Sequence, residues 1–409
     1  MVDADNPMPA VQRRAPAKHF EALDGFRGLA ILAVLIYHFF MGWPFWTGHL
    51  NMAMGHFLRT GWVGVDLFFV LSGFLITGIL LGARTDQHRW RNFIMRRALR
   101  IFPLYYLALI ISFLVIPACY HATQNAALQV LVVAREGAAP WFFGYLSNVI
   151  LATTNVPFPL HLSLTWSLAA EEQFYLIWPA IIWLTPPRYT KRMILGVIAL
   201  AQVFKLLAYY LLPHGTLIEF LTPCRLDEFG FGALIALALR DPGFSDNNWI
   251  AFRRFGLLIA LPIGFGLIAL QQKISPFIIH FYGQFLVAWG AAACILVLVR
   301  TPDSLAHRLF SSTLLRQFGK YSYCMYLCHG LLVPFLGIES APANTGGILF
   351  LAHVVARLAI YFVIVYLVSA LSFRFFEKPI QNLKRFFEPV PQPDAAARLS
   401  PQVQTQERP

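Results

Sequence analysis

The chain has 409 residues, 58% of them hydrophobic and 13% charged, against roughly 25% charged in an ordinary soluble domain, which excludes a soluble protein. An aromatic share of 15%, including 37 Phe, excludes a disordered one. Lys and Arg outnumber Asp and Glu by 32 to 20, but the excess sits in short clusters between apolar runs, which is the pattern of cytoplasmic loops and not of a nucleic-acid-binding face.

Residues 1–22 are polar and punctuated by proline, and no small-residue cleavage site follows the first apolar run. They are expected to form a cytoplasmic segment ahead of a retained span. A transmembrane helix needs about 20 mostly apolar residues. Runs of that kind are expected near 28–45, 61–82, 101–120, 167–185, 193–212, 224–239, 255–271, 282–299, 321–338 and 348–373. The fold class is therefore an all-α polytopic membrane protein of about ten transmembrane helices. An even count puts the basic connectors Arg84 to Arg100, Arg188 to Arg192, Arg240 to Arg254 and Arg300 to Lys320 on the side of both termini, the cytoplasm. The stretch 141–155, WFFGYLSNVILATTN, is apolar but short and dotted with Ser, Asn and Thr. It is read as a re-entrant or interfacial helix within an outer excursion over 121–166. A membrane domain over 23–379 is followed by a cytoplasmic tail, 380–409, disordered from about 389.

Ionisable groups inside spans are costly and carry a functional hypothesis by default. In chain order, Arg27 and His38 come first, eleven positions apart. Eleven steps of about 100° return within about 20° of the start, so both share one helix face, roughly 16 Å apart along the axis. Taken singly, Arg27 is also a positive-inside anchor, and His38 an interhelical hydrogen bond. The segment GVDLFFVLSGFL carries Asp66 into the membrane, with Ser72 and Gly73 as a close-packing notch. In RNFIMRRALRIFPLYY, Arg97 and Arg100 share a face, and clustered Arg suits bidentate phosphate recognition as well as topology. WSLAAEEQFYLIWP, opening at Trp166, sets Glu171 one turn from Tyr175, with Glu172 about 100° round. CRLDEFGFGALIAL heads a span with Arg225, Asp227 and Glu228, which also read as mutually neutralising. YSYCMYLCHG places Ser322, Tyr323 and His329 in the ninth span, His329 in a structural role. Cys119, Cys224, Cys294, Cys324 and Cys328 read as packed thiols, and no metal site is expected.

These six elements, in this order and spread from Leu23 to Pro379, resemble the acyltransferase 3 family, integral membrane acyltransferases of bacterial surface glycans, lipids and some secondary metabolites. The late segment SFRFFEKPI, around Glu377 and Pro379, is similar to another recurrent segment of that family. The resemblance implies a ten-helix domain in the bacterial inner membrane that uses an acyl-CoA, commonly acetyl-CoA, to O-acylate a hydroxyl. It assigns the Arg27 and His38 pair to catalysis. Some members carry a fused extracytoplasmic esterase-like domain, and nothing after Pro379 is long enough to be one, so the expected mechanism needs none in this chain.

Acyl transfer from a thioester needs a base for the hydroxyl proton and positive groups for the donor. His38 is the expected base; a transient acyl relay is the open alternative. Arg27, Arg97 and Arg100 are candidates for the coenzyme A phosphates, and Glu171 for orienting or balancing the site. Asp66, Ser72, Trp166, Glu172, Tyr175, Arg225 and Asp227 are further candidates for substrate binding. The expected partners are acyl-CoA, a carbohydrate or lipid-linked glycan acceptor and the bilayer, with no nucleic acid, no obligate protein partner and no permanently bound cofactor. The rival reading is a transporter or flippase, since buried Arg, His and Glu also form proton relays; a scaffold held by the same groups is a third.

Overall fold

The structure is a computed structural model that describes residues 20–40, 55, 57–133, 137–154, 157–211, 215–241, 246–336 and 347–388. Most of the expected N-terminal segment, residues 41–45 of the first expected span and the tail from 389 lie outside the described residues. Regular structure among the described residues is helical throughout. The longer helices are α1 (Glu21–Phe40), α2 (Gly64–Gly82), α3 (Arg89–Ile110), α4 (Thr165–Leu184), α5 (Thr190–Leu211) and α6 (Leu226–Ala238). They are followed by α7 (Asp246–Phe255, continued as Leu261–Ala269), α8 (Gln284–Arg300), α9 (Thr313–Leu332) and α10 (Gly347–Ser372).

Each expected span falls on one of these helices, yet only seven are long and apolar enough to cross a membrane. The protein is a multi-pass membrane protein on that count. The three outside it are α4, α6 and α9. At 20 residues each, α4 and α9 have the length but carry Glu171, Glu172 and Gln173, and Arg316, Lys320 and His329, respectively. The expected span 224–239 shortens to the 13 residues of α6, about 20 Å of rise, because Thr222–Arg225 ahead of it forms a 3₁₀ turn. A helix that short cannot cross the hydrocarbon alone, and α6 does not face lipid: Phe229, Gly230, Phe231, Gly232 and Ala233 are all buried.

Outward-facing leucines, isoleucines and valines, among them Leu114, Leu176, Leu211, Leu258 and Val363, leave an apolar exterior. Three helices widen into a π turn two residues before a proline. These turns are Ile111–Val115 before Pro117, Gly256–Ala260 before Pro262, and Phe373–Glu377 before Pro379. Proline lacks the N–H and its ring clashes with the carbonyl four residues back, so the wider turn lets the helix run on. Within the expected outer excursion, 141–155 breaks into two short helices, Ala139–Phe143 and Ser147–Thr153. Neither reaches across a bilayer. They are tied to the bundle by the Tyr105 and Tyr106 hydroxyls donating to the Phe142 and Phe143 carbonyls (2.9 and 3.2 Å) and by Gln173 Nε2 donating to Asn148 Oδ1 (2.9 Å).

Two backbone-to-backbone approaches set the centre of the bundle. A Cβ added at Gly28 of α1 would sit 2.0 Å from the Leu315 carbonyl oxygen of α9, and one at Gly319 would sit 1.9 Å from that of Asp24. Likewise Gly73 of α2 would meet the Phe229 oxygen at 2.0 Å, and Gly232 of α6 the Val70 oxygen at 1.9 Å. Only residues without a side chain let the pairs α1–α9 and α2–α6 approach this closely. Gly319→Val is therefore expected to cost more than the ~1–3 kcal/mol of ordinary overpacking. Thermal unfolding in detergent checks this, with Gly196→Ala, where open space surrounds the position, as the tolerated control.

Candidate active site

Two cavities lie inside the bundle, and α1 contributes to both. The narrower, about 90 Å³, is lined by Arg27 from α1, Ser72 from α2, Arg97 and Arg100 from α3, Glu171 and Tyr175 from α4, and Ser322 and Tyr323 from α9. The wider, about 600 Å³, is lined by Tyr37 and His38 from α1, Asp66 from α2, Trp166 from α4, Arg225 ahead of α6, Gln284 from α8, and Trp62, Glu219 and His280 from turns between helices. Val65 and Tyr326 line both. The helical spacing that sets Arg27 and His38 on one face thus delivers them to different chambers.

In the narrow cavity three guanidinium side chains face one lining carboxylate. Glu171 Oε1 accepts from Ser72 Oγ (2.8 Å), which accepts in turn from the Tyr175 hydroxyl (3.1 Å), so α2 and α4 are linked by a polar chain at the cavity wall. Arg97 lies 5.9 Å from the centroids of both the Phe93 and Tyr175 rings. Arg27 Nη1 lies 3.8 Å from Asp24 Oδ1, a loose pair one turn away. Of the notch foreseen at Ser72 and Gly73, Gly73 makes the close packing while Ser72 turns its hydroxyl to Glu171. Tyr326, between the chambers, has its hydroxyl 2.6 Å from Ser167 Oγ and donates it to the Leu164 carbonyl (3.1 Å).

The His38 ring carries a second histidine against it. His38 Nδ1 lies 2.9 Å from the Val34 carbonyl oxygen, and His329 Nδ1 lies 3.0 Å from that of Met325. A carbonyl only accepts, so both rings hold their proton on Nδ1. His329 Nε2 is then an acceptor and lies 3.3 Å from His38 Nδ1, which leaves the His38 Nε2 lone pair without a hydrogen bond among the described residues. His329, foreseen as structural, therefore touches the ring expected to be the base. Spacing within one helix could not show it, because the two histidines are 291 positions apart.

Asp66 and Arg225 are brought together across the wide cavity wall. Arg225 Nη2 donates to Asp66 Oδ1 and lies 3.1 Å from Glu228 Oε2, with its guanidinium 5.6 Å from the Trp166 ring centroid. Asp227, grouped in sequence with Arg225 and Glu228, turns the other way. It accepts from Lys205 Nζ (2.6 Å) and Gln202 Nε2 (2.7 Å) of α5 and lines neither cavity. Glu172 also lines neither, and its Oε1 is buried without a hydrogen-bond partner among the described residues. Lys205, Glu219, His280 and Gln284 were not foreseen; an isolated polar residue in an apolar run gives no sign of its partner on another helix. Among the described residues no three His, Cys, Asp or Glu side chains converge as a metal site would require.

Comparisons with known proteins give this membrane bundle a family. Residues 20–374 match the family model described as an acyltransferase domain, and the chain belongs to this acyltransferase 3 family. It is similar to the peptidoglycan O-acetyltransferase OatA of Listeria monocytogenes, with 28% identity over 392 residues covering 90% of this chain and 57% of that protein. It is also similar to the O-acetyltransferase OatA of Staphylococcus aureus strain NCTC 8325, with 25% identity over 388 residues covering 89% of this chain and 58% of that one. The chain thus spans a little over half the length of these relatives. No solved structure matches it.

Lys205 and Asp227 are 1% and 0% exposed, so removing one partner strands the other's charge in an apolar interior. Lys205→Met is expected to destabilise the protein by about 3–5 kcal/mol, and Lys205→Met with Asp227→Leu to recover most of that loss. Thermal unfolding of the two variants decides it, and an unchanged melting temperature in Lys205→Met would show that the pair is not a structural tie.

Proposed function

We propose that this protein is a membrane O-acyltransferase that moves an acyl group, acetyl in the first instance, from coenzyme A to a hydroxyl of a cell-surface or lipid-linked carbohydrate. The observation that carries this reading is the division of α1 between two chambers, with Arg27 in the cationic one and His38 in the wide one. The named activity of the relatives, O-acetyl transfer, supports the reaction class.

In this reading Arg27, Arg97 and Arg100 receive the donor, whose phosphates suit forked guanidinium groups, while the Tyr175–Ser72–Glu171 chain keeps the wall between α2 and α4 in register. The acceptor hydroxyl enters the wide chamber. His38 Nε2 takes its proton as the hydroxyl oxygen bonds to the thioester carbonyl carbon. Collapse of the tetrahedral species breaks the C–S bond, and the proton passes from His38 to the departing sulfur. Throughout, the Val34 carbonyl accepts from His38 Nδ1–H and the His329 Nε2 lone pair lies 3.3 Å from the same nitrogen, and both favour the imidazolium that forms when Nε2 is protonated.

The proposed orientation has ten crossings, that of α6 made inside the bundle with the Thr222–Arg225 turn ahead of it, and both termini in the cytoplasm, so that the basic clusters and the narrow cavity face the donor pool. Accordingly, a cysteine placed at Asn125 in a background stripped of native thiols should react with an impermeant reagent from outside, and one at Gln392 should not. The reverse labelling would overturn the orientation.

Labelled acetyl-CoA with the protein in liposomes and a glycan acceptor tests the chemistry. His38→Ala should abolish transfer while the protein still inserts and melts normally; a well-folded His38→Ala that still acylates sinks the base assignment. In the same assay Arg97→Lys and Arg100→Lys keep the charge but lose the planar fork. Losing one charge-assisted hydrogen bond is worth ~1.5–3 kcal/mol, so the acetyl-CoA requirement should rise about tenfold to a hundredfold, with acceptor dependence unchanged. Unchanged donor dependence in both would return these residues to topology alone.

A further inference from the structure

The wide cavity holds more unmet polar groups than the chemistry at His38 uses. Gln284 is 1% exposed, and apart from His280 beside it neither its amide nitrogen nor its amide oxygen has a hydrogen-bond partner among the described residues. The same holds for His280 Nδ1, Asp66 Oδ2, and Nε and Nη1 of Arg225. Buried polar atoms are ordinarily paired, and the side chains that carry these line one chamber, where small rotations would turn them to a ligand rich in hydroxyl groups. Trp62, Trp166 and Phe220 supply ring surface around the same space, suited to the C–H faces of a pyranose.

Charge narrows the class further. Among the described residues lining this cavity, Asp66 and Glu219 are the carboxylates and Arg225 is the cation apart from the histidines, and Arg225 is already held by Asp66 and by Glu228 behind it. Glu219 Oε2 lies 3.9 Å from His280 Nε2, so the two are neighbours on the lining. An anionic ligand would thus meet more carboxylate than free positive charge, the inverse of the narrow cavity with Arg27, Arg97 and Arg100. We propose that Gln284, His280, Glu219, Asp66 and Arg225 form a seat for one uncharged sugar ring of the acceptor and disfavour acidic glycans. The proposal rests on the assignment of the wide cavity to the acceptor. Gln284 is its most telling member, because its amide can give and take hydrogen bonds without adding charge.

The test uses the full chain in lipid nanodiscs and two soluble probes, triacetylchitotriose as the neutral glycan and trigalacturonate as the acidic one. Binding is read by calorimetry and by the shift in melting temperature. The neutral trisaccharide should bind at least about tenfold tighter than the acidic one. Gln284→Leu should lose about tenfold of the neutral affinity, the effect of one unmatched buried pair, and Glu219→Gln should narrow the neutral-to-acidic ratio. Equal or tighter binding of trigalacturonate to the unmodified protein, or no binding of either sugar, overturns the seat, and that result needs no variant to fold. The release of coenzyme A from acetyl-CoA without glycan is measured in parallel. His38-dependent release with no neutral preference defeats the sugar seat and leaves acyl transfer standing, whereas neutral-sugar binding without any release leaves the seat and defeats acyl transfer.

Discussion

The contact on which the site depends most is the approach of α1 to α9 at Gly28 and Gly319, where one helix backbone lies directly on the other. That contact fixes the rotation of α1 about its axis, and rotation decides where Arg27 and His38 point. It also sets the distance at which His329, ten positions beyond Gly319 on α9, meets the His38 ring. A side chain at either glycine would push the helices apart and separate the two imidazoles before it disturbed either cavity elsewhere. Gly73 and Gly232 do the same for α2 and α6, which hold Ser72 and the Asp66–Arg225 pair on the two chambers.

Once the helices approach this closely, the absence of water dictates how the polar groups are sorted. Hydrocarbon offers no partner, so a charge ordinarily finds one inside the bundle or faces a cavity, Glu172 being an exception among the described residues. The structure does both. Lys205 and Asp227 neutralise each other away from the cavities, a tie between α5 and α6. Arg225 is bracketed by Asp66 and Glu228 at the wall of one cavity, whereas Arg27, Arg97 and Arg100 line the other in excess over Glu171. These groups come from α1 to α6 and the turn ahead of α6, so the pairing is made between helices, behind the apolar exterior.

Much of this was readable along the chain wherever the relevant geometry is local. The eleven-residue spacing of Arg27 and His38, the three-residue spacing of Arg97 and Arg100 and the notch at Gly73 follow from helix periodicity. They appear in the structure on the helices expected. What could not be read depends on a second helix. Nothing near Asp227 announces Lys205, and nothing near His38 announces His329. Glu219, His280 and Gln284 come from segments that read as ordinary span ends until folding turns them onto a common space. The length of α6 was also hidden, because an apolar run of 16 residues does not reveal that its first turn is 3₁₀.

The shared lining of Val65 and Tyr326 bears on how such a site avoids wasting its donor. Under the proposed reaction, water in a chamber of about 600 Å³ is itself a nucleophile that His38 would activate, so the thioester would have to be kept from that space until an acceptor fills it. Tyr326 is held by its hydroxyl contacts to Ser167 and to the Leu164 carbonyl, which leaves its ring as part of the partition. Val65 completes it from α2, one residue before Asp66. In the proposed reading an acceptor seated against Asp66 lies next to the partition itself, and the proposed sugar contact and the residue that separates the chambers are neighbours on the first turn of one helix. Acceptor occupancy and exclusion of water from the donor are in that arrangement two consequences of a single contact.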